Sequence, residues 1–541
     1  MNKKWQYSIV IGLLLIMFGL ELTSALGKSQ TNDEAVHLLA GYSYLTRHDF
    51  RLNTEHPPLT KYLAALPLLF LQPELDINHP GWQNTDQWSM APSFLYHNTV
   101  TADTLLLWGR IPTMLLSLVL GWLIFVWSGK LFGAKAGLLA LTFYVFSPNI
   151  LAHSRLITSD LAITLFILLT FYFLDKYLEK PNTKNLLLFC LTFGLTLLTK
   201  FSAPIIIPII ILLLIIRWRQ QPEKFSLQQV LLTIFALAIS GLALIFLGYG
   251  FELTKMKDDP FFISRLNGSE QSLPFFGWLI PAYHYWFGLV KVFFHSLYGQ
   301  GTYLFGKYSI RGWWYYFPLA FLVKTSLVTI LLTIILKVNA IKTWWQQKPK
   351  FRQIPFSYFI LVIPPLIYFL FTLISHLNLG LRHLLPIYPF LFIWIGSLAN
   401  WSGLKRRSWQ IVGGILIAFY LVSSFSIYPH YLAYFNETVA GAKNGPEYLL
   451  DSNLDWGQDY KTLQTYLAEN NITHYCFNDT DSAKSNYYLP QALPIPAESE
   501  MRPGYIAISV NALYQENSPY SWLKKYQPSI RIGYSIYLFK F

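Results

Sequence analysis

Charge is what this chain has least of. Only 13% of its 541 residues are Asp, Glu, Lys or Arg, against 53% that are hydrophobic, whereas an ordinary soluble domain carries about 25% charged residues. A water-soluble globular protein of this length is therefore excluded. Cysteine is nearly absent. Cys190 lies in an apolar run and Cys476 in a polar tail, which excludes a disulfide framework and leaves the redox compartment open. Acids are outnumbered by bases, 28 to 41, for a net charge of +13. Such an excess would suit nucleic acid, but the basic residues fall in short loops between apolar runs, where they set topology. Nucleic acid is not expected as a partner. A cleaved signal peptide is not expected either. Lys3 and Lys4 precede an apolar stretch to Leu26 that is longer than a signal core and lacks an A-x-A site, so it reads as a retained first helix. There is no internal repeat or low-complexity segment.

What the chain has is apolar runs approaching the ~20 residues of a membrane span. Eleven spans are expected: 5–26, 105–127, 138–152, 160–175, 186–199, 203–217, 230–250, 317–337, 354–374, 384–400 and 409–428. Several are short and need their flanks to cross. With the N-terminus inside, the inner loops carry the lysine and arginine clusters, such as Lys176, Lys180 and Lys184, or Lys405, Arg406 and Arg407. The short outer turns carry little, as the positive-inside rule requires. The odd count puts the C-terminal tail outside. The expected fold class is an all-α polytopic membrane protein, with amphipathic helices at the outer face and a small C-terminal α/β domain. Residues 1–428 form the membrane domain, with large outer segments at 27–104 and 251–316, and residues 429–541 form the tail domain. The tail combines a helix, Tyr460 to Asn470, with strand-like runs "YIAISV" and "GYSIYLFKF".

The first outer segment opens with "QTNDEAVHLLAGYSYLTRHDF", where Asp33 and Glu34 stand side by side just after the first span. Thr31 and Glu34 have capping-box spacing. Ala35, Leu38, Leu39, Tyr42 and Leu45 share one helical face, so an amphipathic helix lying on the membrane surface is expected. Carboxylates in a first helical turn are favoured by the helix dipole alone. "EHPPLTKYLAALPLLF" follows (Glu55 to Phe70), a proline-fixed turn and an apolar stretch too short to span, read as a re-entrant or interfacial helix. Acids, the histidines His37, His48 and His56, and Lys61 thus gather in one loop, more than a connector needs.

The order "DEAVHLLAGYSYL … EHPPLTKYL" resembles the first loop of the GT-C glycosyltransferases that use polyprenyl-phosphate sugars: the protein O-mannosyltransferases, the lipid A aminoarabinose transferases and their bacterial relatives. The likeness extends through Gly109 to Phe166, including the R-x-x-x-x-D of Arg155 to Asp160, and through "GLTLLTKFSA", "GWWYYFPLAFLVKTSL", "LRHLLPIYPF" and "YLAYFNE…DSNLDWGQDY". The resemblance implies a polyprenyl-phosphate sugar as donor and a lipid, glycan or protein acceptor. It implies inversion at the anomeric carbon and Asp33 as general base. Glu34 orients the acceptor or the loop, or serves only as a cap.

The residues point the same way. A base must sit near the interface to deprotonate the acceptor, and cations must neutralise the departing phosphate. Arg382, Lys200 and Arg155, in that order, are cations at outer span ends that run against the positive-inside bias, and each is a phosphate-binding candidate whose alternative is anchoring a headgroup. The alternative for Arg155 is a structural pair with Asp160. Lys324 is a further candidate that otherwise snorkels to the interface. His56 and Lys61 are substrate-binding candidates of the first loop. Asp160, in "TSDL", is either a second acid facing substrate or a helix N-cap. No H-x-x-x-H or H-E-x-x-H spacing occurs among these residues, so a divalent metal is not supported; the resemblance is to the mannosyltransferase side, where none is expected. Asp455 to Gln458 has D-x-x-Q spacing, read as a cap, and Tyr283 to Tyr308 is expected to form an interfacial helix. The rival function is a transporter or flippase for a lipid-linked sugar. It is disfavoured because transporters show repeated halves and helices broken at the midplane. A bacterial plasma membrane is the expected location.

Overall fold

The computed structural model describes residues 2–258, 277–478, 481–500 and 503–541, and of residues 258, 404 and 405 only the backbone. Part of the second large segment, 259–276, therefore lies outside the described residues. Among the described residues, eight helices are long and apolar enough to cross a membrane, and three shorter apolar helices lie among them. They overlap the eleven spans read from the sequence, two of them with a different build, and the chain is a multi-pass membrane protein.

Local signals set the helix ends. The first span, Lys3–Leu26, starts on the side chain of Asn2 and stops at Gly27. The second, Ala102–Phe132, stops at Gly133, whose φ of +87° leads directly into the third helix, Ala134–Val145. These two pack closely: a Cβ on Gly137 would stand 2.6 Å from the Phe125 carbonyl oxygen, so only glycine fits there. A Ser226–Gln229 capping box starts Leu227–Gly248.

Two spans depart from expectation. The eighth is not one run over 317–337: a helix Tyr316–Lys324 ends at the extended residue Thr325, and a new helix, Leu327–Gln347, starts after Ser326. Lys324 stands at the break. The tenth opens as a tight 3₁₀ turn, Leu381–Ile387, before Tyr388–Gly396, which places Arg382 on the turn and not on a regular helix.

The first loop departs further. Its helix, Glu34–Arg47, does not lie on a membrane surface: every residue from Glu34 to Tyr44 is buried. The face away from the apolar stripe carries Glu34, His37 and Ser43, and each finds a protein partner, Arg110, the Ile157 carbonyl and the Ala40 carbonyl respectively. With its polar face satisfied internally the helix needs no water. The Leu59–Ala65 helix packs against it, and the chain then turns outward at Leu68–Leu71, exposing Phe70. That tip fits the interfacial segment read from the sequence. The capping box is half formed. Glu34 Oε2 accepts from the Thr31 amide at 2.8 Å, but the Thr31 hydroxyl has no partner and the helix begins three residues later. Of the aromatic stretch Tyr283 to Tyr308 only Tyr283–Tyr298 is helical, burying His284, Tyr285 and Gly288 and leaving Val290, Phe293, Phe294 and Leu297 exposed, the amphipathic pattern of an interfacial helix. Beyond Gly299 the chain instead forms an antiparallel strand pair, Thr302–Leu304 with Lys307–Ser309.

The tail carries a four-stranded sheet, β1 (Tyr475–Asn478), β2 (Tyr505–Ser509), β3 (Ile530–Ile532) and β4 (Ile536–Lys540). The order is β1-β2-β4-β3, with β1 and β2 parallel and the other pairings antiparallel. The helix Tyr460–Glu469 precedes β1. The stretch before this helix runs along the first loop: the Ser29 amide donates to Gln458 O at 3.0 Å and the Asn32 amide to Trp456 O at 3.1 Å. Lys461 and the Tyr488 hydroxyl both reach Asp103, at 2.6 and 2.8 Å.

Candidate active site

Four charged residues from four distant parts of the chain meet at the first-loop end of the bundle. Asp33, immediately before the loop helix, accepts from Arg382 Nη1 at 2.9 Å. Arg382 Nη1 is also 3.7 Å from Asp160 Oδ2. The other oxygen of Asp160 takes Lys200 Nζ at 2.5 Å. The result is an alternating row, Asp33–Arg382–Asp160–Lys200. The guanidinium of Arg382 lies over the ring of Trp456 from the tail, 4.1 Å from its centroid, a cation–π contact that fixes its plane.

Exposure differs along the row. The Asp33 side chain is 23% exposed and that of Asp160 1%. Asp33 is the acid that an incoming group can reach, and Asp160 is the buried counter-ion that holds two cations in place. Several buried polar atoms around Asp160 have no hydrogen-bond partner: Asp160 Oδ2 itself, Arg382 Nε, His383 Nε2, His153 Nδ1 and His56 Nδ1. All belong to residues within electrostatic reach of Asp160. Buried polar groups are normally paired, so this concentration of unmet donors and acceptors marks a place prepared for a polar ligand.

Asp160 does not cap its helix. Thr158 occupies the cap position of Ser159–Glu179, and Asp160 spends its oxygens on Lys200 and Arg382.

The other candidates are placed differently. Glu34 is closed off. Its two oxygens take Arg110 Nε and Nη2 at 2.8 and 2.7 Å, the Ile157 amide at 3.0 Å and the Thr31 amide at 2.8 Å. Burial alone would raise its pKa, but Arg110 and these hydrogen bonds outweigh it and hold the carboxyl below its ordinary value. With these bonds made, the ionised carboxylate of Glu34 ties the loop to Arg110 and the 157 turn. Arg155 is not brought to the cluster: it donates to the Ser24 carbonyl and lies over the Tyr431 ring, and it makes no ion pair with Asp160 among the described residues. Lys61 is buried and donates to Tyr44 Oη, Asn53 O and His56 O at 2.9, 2.7 and 2.6 Å. Burial pulls its ammonium well below the usual range. It braces the 53–56 turn. Lys324 neither snorkels nor faces the cluster; it donates to Leu432 O and Asn453 O and ties the helix break to the tail. His56 packs edge-on to His37, with 5.4 Å between ring centroids, and burial holds its ring well below the usual imidazole value, so it stands neutral at the rim of the row.

Sequence reasoning passed over three contributors. Trp456 carries no charge signal and is found only through the fold. Arg110 stands inside an apolar run, and an ionisable residue there is itself the signal. Asp451 lies within electrostatic reach of Arg382 and Asp33, and burial pushes its carboxyl up to about 6. Asp455, read as a cap for the following helix, instead accepts from Gly457 N, Ser509 Oγ and Asn511 N and so ties the Trp456 segment to the sheet. Among the described residues no three His, Cys, Asp or Glu are grouped to hold a metal ion.

Comparison with known proteins adds the following. No curated protein matches the chain. The solved structure of ArnT from Cupriavidus metallidurans bound to undecaprenyl phosphate is similar at 12% identity and a TM-score of 0.46, covering 99% of this chain and 98% of that one. The Archaeoglobus fulgidus oligosaccharyltransferase in its apo form is similar at 12% identity and a TM-score of 0.47, covering 97% of this chain and 73% of that one. Residues 102–244, which contain Arg110, Asp160 and Lys200, match the family model described as dolichyl-phosphate-mannose-protein mannosyltransferase, and the family resemblance read from Gly109 to Phe166 falls inside that match.

Proposed function

We propose that the protein is a membrane glycosyltransferase that moves a sugar from a polyprenyl-phosphate donor to a lipid, glycan or protein acceptor. The observation that carries this reading is the row Asp33–Arg382–Asp160–Lys200, with its partly open acid, its two cations and the unmet polar atoms beside it. The family match over residues 102–244 supports the substrate class.

The chemistry follows from the geometry. In the state described, Asp33 is occupied by Arg382. A donor phosphate reaching Arg382 competes for the guanidinium, and a planar fork suits a phosphate better than a single carboxylate oxygen. Asp33 is then released and, on the side of the anomeric carbon away from the phosphate, takes the proton of the acceptor hydroxyl or amine as it attacks. Arg382 and Lys200 hold the negative charge of the departing polyprenyl phosphate. Asp160 does not react; it keeps both cations from collapsing onto the product. Attack opposite the phosphate inverts the anomeric configuration. The loop charges favour the outer face of a plasma membrane as the location of the row, with the N-terminus inside and the tail outside.

The test uses purified protein in lipid with labelled polyprenyl-phosphate sugars. Sugar transfer by the wild type that is lost in Asp33→Asn supports the enzyme. Movement of intact lipid across the bilayer without cleavage of the sugar–phosphate bond would instead support a flippase.

A further inference from the structure

A small closed cavity lies beside the Glu34–Arg110 pair, where the end of the first span, the first loop, the second span, the 154–158 turn and the tail come together. Lys28, Thr31, Arg110, Arg155 and Gln458 line it, with apolar side chains between them. Three of these are cations, and no carboxylate is in the lining. Two of the cations have acids of their own outside it: Arg110 has Glu34, and Lys28 has Asp459. Arg155 has none within ion-pair distance among the described residues. It donates to a carbonyl and lies over the face of Tyr431, while Asp459, Glu34 and Glu21 reach it only at longer range. It is 3% exposed, and its Nε has no partner. The Thr31 hydroxyl, fully buried, has no partner either. Gln458 is already used, donating to Leu454 O and Asp459 and accepting from the Trp456 amide.

A buried cation with no acid in direct contact is costly, and here the unmet atoms beside it, a guanidinium N–H and a hydroxyl, can both donate. Water would satisfy donors but not the charge. Size narrows the choice. The cavity offers about 10 Å³ to the centre of a water-sized body, room for roughly one water and too little for a phosphate, carboxylate or sugar. We propose that this cavity binds a single monatomic anion, a halide and in the cell chloride, held by Arg155, Lys28 and the Thr31 hydroxyl.

The position gives the anion a task. Thr31 is two residues from Asp33, and Gln458 two residues from Trp456. An ion bonded between these segments clamps the tail onto the first loop and so steadies both the candidate base and the platform under Arg382.

The test reads stability and not sugar transfer, so it stands apart from the proposed activity. The wild-type protein in detergent is melted in sodium gluconate and, at equal ionic strength, in rising sodium chloride or bromide. The expected result is a melting temperature that climbs with halide concentration and then follows mass action. Arg155→Gln should remove the dependence, and Thr31→Val, which keeps the shape, should move it to higher halide concentration. Bromide-soaked crystals should show an anomalous peak between Lys28 and Arg155. Equal melting in gluconate and halide, a dependence unchanged in both variants, or the absence of bromide from the cavity would overturn the proposal. If Arg155→Gln fails to fold, Thr31→Val and the bromide peak decide.

Discussion

Asp33 and Glu34 are neighbours in sequence and opposites in surroundings. Glu34 is sealed, with two bonds from Arg110 and two from backbone amides. Among the described residues the Asp33 side chain makes one hydrogen bond, to Arg382, and keeps part of its surface open. The same functional group is a structural rivet at one position and a reactive candidate at the next. The difference is the number of donors that the fold directs at each, not any property of the residues. A chain that must hold a loop rigid and leave one acid available can do both in a single turn.

The sharpest way to break this contrast is to neutralise each acid in turn. Asp33→Asn should lower the sugar-transfer rate by ~10²–10⁴-fold while the melting temperature hardly moves; a mutant that transfers sugar normally would remove Asp33 from the chemistry. Glu34→Gln should do the reverse. It leaves Arg110 buried without its counter-ion, a loss of about 3–5 kcal/mol, seen as a large drop in melting temperature, and transfer should fall only as far as folded protein is lost. Next in size is Arg382→Lys, which keeps the charge but loses the fork and the flat contact with Trp456. The donor KM should rise about tenfold, the equivalent of ~1.4 kcal/mol, with a smaller change in kcat.

The smallest effect concerns pH. Burial raises the Asp451 carboxyl to about 6 from an ordinary value of 3.8. Between those values the folded protein holds more protons than the unfolded chain, so this residue's contribution to stability falls as pH rises from about 4 to about 6. Wild type compared with Asp451→Asn over that window should show the slope in the first and its loss in the second, a difference of order 2 °C. Identical pH profiles would place Asp451 in ordinary solvent.

Much of the bundle was legible because membrane spans announce themselves. The apolar runs gave their own number and approximate places, since hydrocarbon imposes a single length scale. The row of charges was legible in part. Asp33, Asp160, Lys200 and Arg382 stood out as ionisable residues at span ends, where charge is costly and needs a purpose. What could not be read was which cation meets which acid. Arg155 and Lys324 carry the same signal as Lys200, yet long-range packing turns both into backbone ties. Whether Glu34 orients the acceptor, orients the loop or only caps stays open in the sequence, because its partner, Arg110, lies 76 residues away on another helix. The burial of the Glu34–Arg47 helix was hidden for a similar reason: an amphipathic pattern does not reveal whether water or protein faces the polar side.

The ring beneath Arg382 comes from Trp456, and the clamp on Lys28 from Asp459. Both follow the last span read from the sequence, so they leave the ribosome after every helix of the bundle. During synthesis all the helices can enter the bilayer while Arg382 still lacks its platform, so a nascent or truncated polypeptide would be inserted yet inert. Competence for chemistry would arrive only when the 456–459 segment folds back onto the first loop, making synthesis past the spans a built-in condition for activity.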